Sequence, residues 1–221
     1  MKKHIVCFGD SNTHGYCADP NDTADRTDRF NEDERWTCLL QKMLGEEYLV
    51  LEEGLSGRTT VFSDPLHECM SGLDVIYSTL MSHEPVDLLI IMLGTNDCKT
   101  RYRASASVIA KGLDQVIRKA RQNASRHFDL LVISPIHLGV GVGDADFDPE
   151  FDAASVAVSR NLANEYRKIA LQNHAAFLNA SDFAAPSVTD REHMDEKGHA
   201  ALADAIYNKI LALQKGLSHV I

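Results

Sequence analysis

At 221 residues, with 44% hydrophobic and 24% charged side chains, the chain has the composition of a soluble globular protein and the length to bury a full core. Its 22 basic against 32 acidic residues leave a formal charge of −10, which argues against nucleic acid or an anionic membrane as partner and mildly disfavours anionic substrates. No run approaches the roughly 18 apolar residues of a membrane span, and the amino terminus lacks a signal peptide's apolar core, so a cytoplasmic location is expected.

The first apolar run, HIVCF at 4–8, reads as a strand and passes straight into Gly9-Asp10-Ser11-Asn12. A helix is expected near 34–45, a strand at 48–52 and a helix near 69–83. The run DLLIIML at 87–93 follows, then a helix near 104–124, the strand DLLVIS at 129–134, a helix near 152–173, a short strand at 175–178 and a last helix near 197–214. Continuous apolarity in 87–93 and 129–134 marks strands buried on both faces. Strand and helix alternating five times predict one α/β domain, residues 1–221, with a five-stranded parallel sheet between helical layers.

Two segments are long for loops: 12–33, polar and acidic, and 136–151, which contains GVGVG at 139–143. The glycine spacing is not that of a dinucleotide site. Five cysteines (7, 17, 38, 69 and 98) without a C-x-x-C pair read as reduced thiols, with Cys7 in the core and Cys98, just after Gly94-Thr95-Asn96-Asp97, either structural or lining a site. The cations Arg118, Lys119, Arg121 and Arg126 read as the solvated face of a helix.

Ligands of an open parallel sheet bind beyond the carboxyl ends of its strands. Polar clusters fall at these ends: Gly9-Asp10-Ser11-Asn12, Glu53-Gly54-Leu55-Ser56-Gly57-Arg58 and Gly94-Thr95-Asn96-Asp97. Asp190-Arg191-Glu192-His193 precedes the last helix. Together they suit nucleophilic acyl transfer. Ser11 needs a base, for which His193 is the candidate, and Asp190 three residues earlier can fix that imidazole's tautomer. The amides of Ser11 and Gly57 and the side chain of Asn96 can donate to an oxyanion. Asp10 and Asn12, flanking the serine, are expected to meet substrate.

The stretches FGDSNTHG, EEGLSGRTT, IMLGTNDCK and DREHMDEKGH resemble the four sequence blocks of the SGNH (GDSL-type) hydrolases. The wording EEGLSGRTT with Arg35-Trp36 is similar to the branch of small bacterial arylesterases, one of which is also an acyltransferase. The resemblance implies a flavodoxin-like α/β/α sandwich and a Ser11-His193-Asp190 triad, with Ser11, Gly57 and Asn96 as oxyanion donors. It further implies a short-chain ester substrate, with transfer to alcohols as a second outcome and no cofactor. A sugar O-deacetylase or an acyl thioesterase would use the same residues. Two departures stand out: the charged pair Arg191-Glu192, expected to make the pocket rim more polar, and the Gly- and Asp-rich 136–151 segment.

Two readings of other classes compete. A metal-dependent hydrolase could use Asp190, His193 and His199, but six residues separate the histidines rather than the four of a helical zinc pair. A non-catalytic flavodoxin-like binding module would leave Ser11 unreactive. A homo-oligomer is compatible with the sequence.

Overall fold

The computed structural model describes residues 1–19, 28–122 and 124–215. Parts of two expected elements, 20–27 of the first long loop and residue 123 of the 104–124 helix, lie outside the described residues.

Five strands form one sheet: β1 (Lys3–Gly9), β2 (Tyr48–Gly54), β3 (Leu88–Met92), β4 (Asp129–Ser134) and β5 (Ala176–Asn179). All neighbours are parallel and the order is β2-β1-β3-β4-β5. The helices are α1 (Ser11–His14), α2 (Trp36–Leu44), α3 (Gly72–His83), α4 (Ala106–Gln122), α5 (Ala153–Gln172) and α6 (Glu196–Gln214). The one-turn α1, inside the segment expected to be loop, was not anticipated.

Successive side chains of a strand point to opposite faces, so a strand covered on both sides must be apolar throughout. Val6, Phe8, Leu89 and Ile91 join one core with Ile76 of α3, Ile109 and Leu113 of α4, and Leu162 and Tyr166 of α5. Ile5, Cys7, Ile90 and Met92 join the other with Trp36 and Leu40 of α2 and Leu202 and Ile206 of α6. The result is the expected three-layer sandwich.

Helix starts follow capping chemistry more closely than periodicity. Asp152 and Ser155 form a capping box, so α5 begins beside the predicted boundary. Ser71 caps α3 through the Asp74 amide, which starts that helix three residues later than expected. Arg126 lies beyond α4 and pairs with Asp87 at 2.7 Å, so it does not belong to the helix face predicted for it. None of the five cysteines is in a disulfide, and Cys7, Cys17 and Cys98 are buried.

Candidate active site

The strand order reverses between β1 and β3, the place where such sheets open a crevice. Ser11 sits there, at the first residue of α1. Asp10 caps that helix by accepting from the Asn12 amide at 3.1 Å. The Ser11 amide, in the first turn, has no intrahelical carbonyl to meet and lies at the positive end of the turn.

The structure brings Ser11, His193 and Asp190 together across 182 residues of sequence. The His193 Nε2 to Ser11 Oγ distance is 2.8 Å and the His193 Nδ1 to Asp190 Oδ2 distance is 2.5 Å. Asp190 Oδ1 also accepts from the backbone amides of Glu192 and His193, each at 3.0 Å, so the acid is locked to the loop it serves. With Nδ1–H donated to Asp190, Nε2 is left as the acceptor facing the serine hydroxyl. Tyr16 packs on the imidazole with ring centroids 4.4 Å apart.

Burial opposes protonation of His193, but the carboxylates of Glu192 and Asp190 outweigh it and hold the pKa above the ordinary imidazole value. Burial likewise pushes Asp190 up, and its bond to His193 more than reverses this, leaving it below the usual carboxylate range.

Gly57 and Asn96 come from the loops after β2 and β3. Gly57 takes φ +90°, a conformation that disfavours any side chain, and a Cβ there would meet only Met70 Sδ at 3.1 Å. Asn96 Nδ2 donates one hydrogen to the Arg58 carbonyl at 3.1 Å, which leaves its second free for a ligand. Asp97, fully buried, accepts from the Thr60 amide at 3.0 Å on both oxygens and from the Thr60 hydroxyl. It thereby ties the two loops together, and burial raises its pKa to about 6. Arg58, also buried, donates to the Gly9 carbonyl at 3.0 Å and lies over the Phe8 ring.

Asp10 and Asn12, expected to meet substrate, are both engaged in holding the turn. They are 0% and 1% exposed. Asn12 Oδ1 accepts from the Met194 amide at 3.0 Å and its carbonyl accepts from the Trp36 indole at 3.1 Å. These bonds join α1 to the histidine loop and to α2, so the pair holds the nucleophile's turn in place.

Glu192 is not on the pocket rim. It is 7% exposed, and its Oε1 lies 3.8 Å from His193 Nε2. Its neighbour Arg191 adopts φ 64° and packs over the Phe147 ring, with Nη1 donating to the Val140 carbonyl at 2.8 Å. Two glycines of the GVGVG run leave room for this residue: a Cβ at Gly139 would stand 2.8 Å from Arg191 Cβ, and one at Gly141 would stand 2.2 Å from Arg191 Nη1. The signal for both residues was the charged pair itself, which departs from the resemblance.

His199 does not join His193. It is 0% exposed, its Nδ1 accepts from the Trp36 amide at 3.3 Å, and burial lowers its pKa to about 3. Among the described residues no three His, Cys, Asp or Glu side chains converge as metal ligands. Among them, too, no helix is long and apolar enough to cross a membrane. Cavities of about 510 and 710 Å³ open beside residues 63–71 and beside Lys99, Arg101 and Ser155, and none of Ser11, Asp190 or His193 lines them.

A family model described as GDSL-like lipase/acylhydrolase matches residues 7–201. One solved structure is 38% identical, covers 99% of this chain and 100% of its own, and has a TM-score of 0.90. Est24, a carbohydrate acetylesterase from Sinorhizobium meliloti, is 31% identical with a TM-score of 0.86, over 96% of this chain and 100% of its own. The native M. smegmatis aryl esterase is 31% identical with a TM-score of 0.84, over 96% and 99%. No curated protein matches the chain.

Proposed function

The chain belongs to the GDSL-like lipase/acylhydrolase family and is a carboxylic ester hydrolase, and from that premise we propose that it cleaves short-chain esters through an acyl-enzyme on Ser11. The observation that carries the reading is the continuous Ser11–His193–Asp190 hydrogen-bonded array at the topological switch point.

Ser11 Oγ attacks the ester carbonyl carbon as its proton passes to His193 Nε2. The carbonyl oxygen becomes an oxyanion, met by the Ser11 and Gly57 amides and by the second hydrogen of Asn96 Nδ2. Collapse breaks the bond to the alcohol, which leaves with the proton from Nε2. Water then attacks the acyl-Ser11, returns a proton through Nε2 and releases the carboxylic acid. An alcohol in place of water yields a new ester, so acyl transfer is the second outcome of the same intermediate.

Two relatives support ester chemistry, one described as a carbohydrate acetylesterase and one as an aryl esterase. The test is the nucleophile. Ser11→Ala should lower kcat for 4-nitrophenyl acetate by several orders of magnitude with little change in Tm, and should abolish labelling by a fluorophosphonate. A variant that keeps a tenth of the activity would refute the assignment. An unlabelled wild type that hydrolyses no ester would point to the binding-module reading instead.

A further inference from the structure

We infer that Glu192 selects esters whose alcohol part carries a free hydroxyl on the carbon next to the ester-bearing carbon. The inference rests on the esterase reading above and goes on to what that site recognises.

A carboxylate taken out of water is expensive unless hydrogen-bond donors replace its hydration. Glu192 is 7% exposed, and its contact with a cationic group, His193 Nε2 at 3.8 Å from its Oε1, is longer than a hydrogen bond. That Nε2 is already engaged with Ser11 Oγ at 2.8 Å. Lys99, the cation that could neutralise it, is bridged to Glu150 at 2.5 Å. Asp148 and Asp190 add like charge. Of the other acids around the base, Asp190 is tied to His193, Asp148 accepts from the Glu150 amide at 2.8 Å, and Asp10 lies fully buried with one oxygen capping α1. Glu192 is thus an open acceptor beside the reacting atoms.

Its place fixes which atom it can meet. The departing ester oxygen must come within hydrogen-bond reach of His193 Nε2 to take the proton. A hydroxyl on the adjacent carbon then lies one gauche oxygen–oxygen step away, on a path that closes on Glu192 Oε1 only 3.8 Å from Nε2. Its O–H donates to the carboxylate and supplies the missing donor. An ester lacking that hydroxyl leaves Glu192 desolvated and unpaired, the situation in which a site discriminates most strongly.

The experiment compares kcat/KM for 2-hydroxyethyl acetate, 2-methoxyethyl acetate, acetylcholine and 4-nitrophenyl acetate in wild type, Glu192→Met and Glu192→Gln. Wild type should prefer the hydroxyethyl over the methoxyethyl ester by about tenfold or more. The Met variant should erase that ratio, and the Gln variant, which keeps a neutral acceptor of the same shape, should fall between. The ratio within each protein is the readout, so an overall loss of activity does not mimic it. Should the Met variant not fold, the reduced ratio in the Gln variant decides. An equal ratio in wild type and variants overturns the inference, as does a wild type indifferent to the hydroxyl. Acetylcholine preferred over both ethyl esters would also overturn it, in favour of recognition by charge alone. A wild type inert on all four esters, 4-nitrophenyl acetate included, refutes the esterase reading itself, and the inference with it.

Discussion

Replacing Asp10 by asparagine should make the protein more stable at alkaline than at acid pH relative to wild type. Asp10 is fully buried, its Oδ1 caps α1 and its Oδ2 meets no partner. Burial raises its pKa from 3.8 to about 7, against the opposing pull of the Asn12 amide and His193. A carboxyl whose pKa is raised by folding holds a proton in the native state that the unfolded chain has already released. Its contribution is therefore complete below pH 3.8 and is lost as pH rises through about 7. Asparagine keeps an acceptor for the Asn12 amide and cannot ionise.

Between pH 5 and 7 wild type should lose up to about 1.4 kcal/mol per pH unit relative to Asp10→Asn, a total of about 2 kcal/mol because the slope flattens near the native pKa, and the two should run parallel beyond pH 8. The new Nδ2 group, placed where Oδ2 has no partner, costs about 1–3 kcal/mol, but that penalty is the same at every pH and leaves the slope untouched. Urea unfolding of both proteins at pH 5, 6, 7 and 8 measures the difference directly. A stability difference that changes by less than about 1 kcal/mol over this range would refute the burial argument.

For catalysis the sign runs the other way. His193 must be neutral to accept the serine proton, and its pKa is held above 6.5, so kcat/KM should rise with pH through a midpoint above that value; a midpoint below 6.5 would contradict the effect assigned to Glu192 and Asp190. Activity should survive prolonged dialysis against EDTA, since Asp190 and His193 bond to each other and His199 bonds to Trp36; inactivation reversed by zinc would restore the metal reading. Acetyl to butyryl esters should be cleaved faster than palmitoyl ones, because the 136–151 segment is glycine- and aspartate-rich and offers few large aliphatic side chains to a long chain; preference for palmitoyl esters would end that argument. Vinyl acetate and benzyl alcohol in buffer should give measurable benzyl acetate with hydrolysis still dominant, and gas chromatography of the products decides it.

Much of this architecture is legible locally. A strand covered on both faces must be apolar at every position, so the runs at 87–93 and 129–134 announce a buried parallel sheet before any partner is known. Polar tetrapeptides at strand ends mark where the topology will gather them, which located Ser11, Asp190, His193, Gly57 and Asn96 in the chain. Which way a polar side chain turns depends instead on neighbours far away in sequence. Asp10 and Asn12 look like substrate contacts beside a serine, yet Trp36 and Met194 take Asn12, and burial leaves Asp10 only its own turn. Glu192 reads as a rim charge until the fold closes over it and sets it 3.8 Å from His193 Nε2. The residue types specify what chemistry is available; packing alone decides which of these groups keep their water, which find protein partners, and which are left open for a ligand.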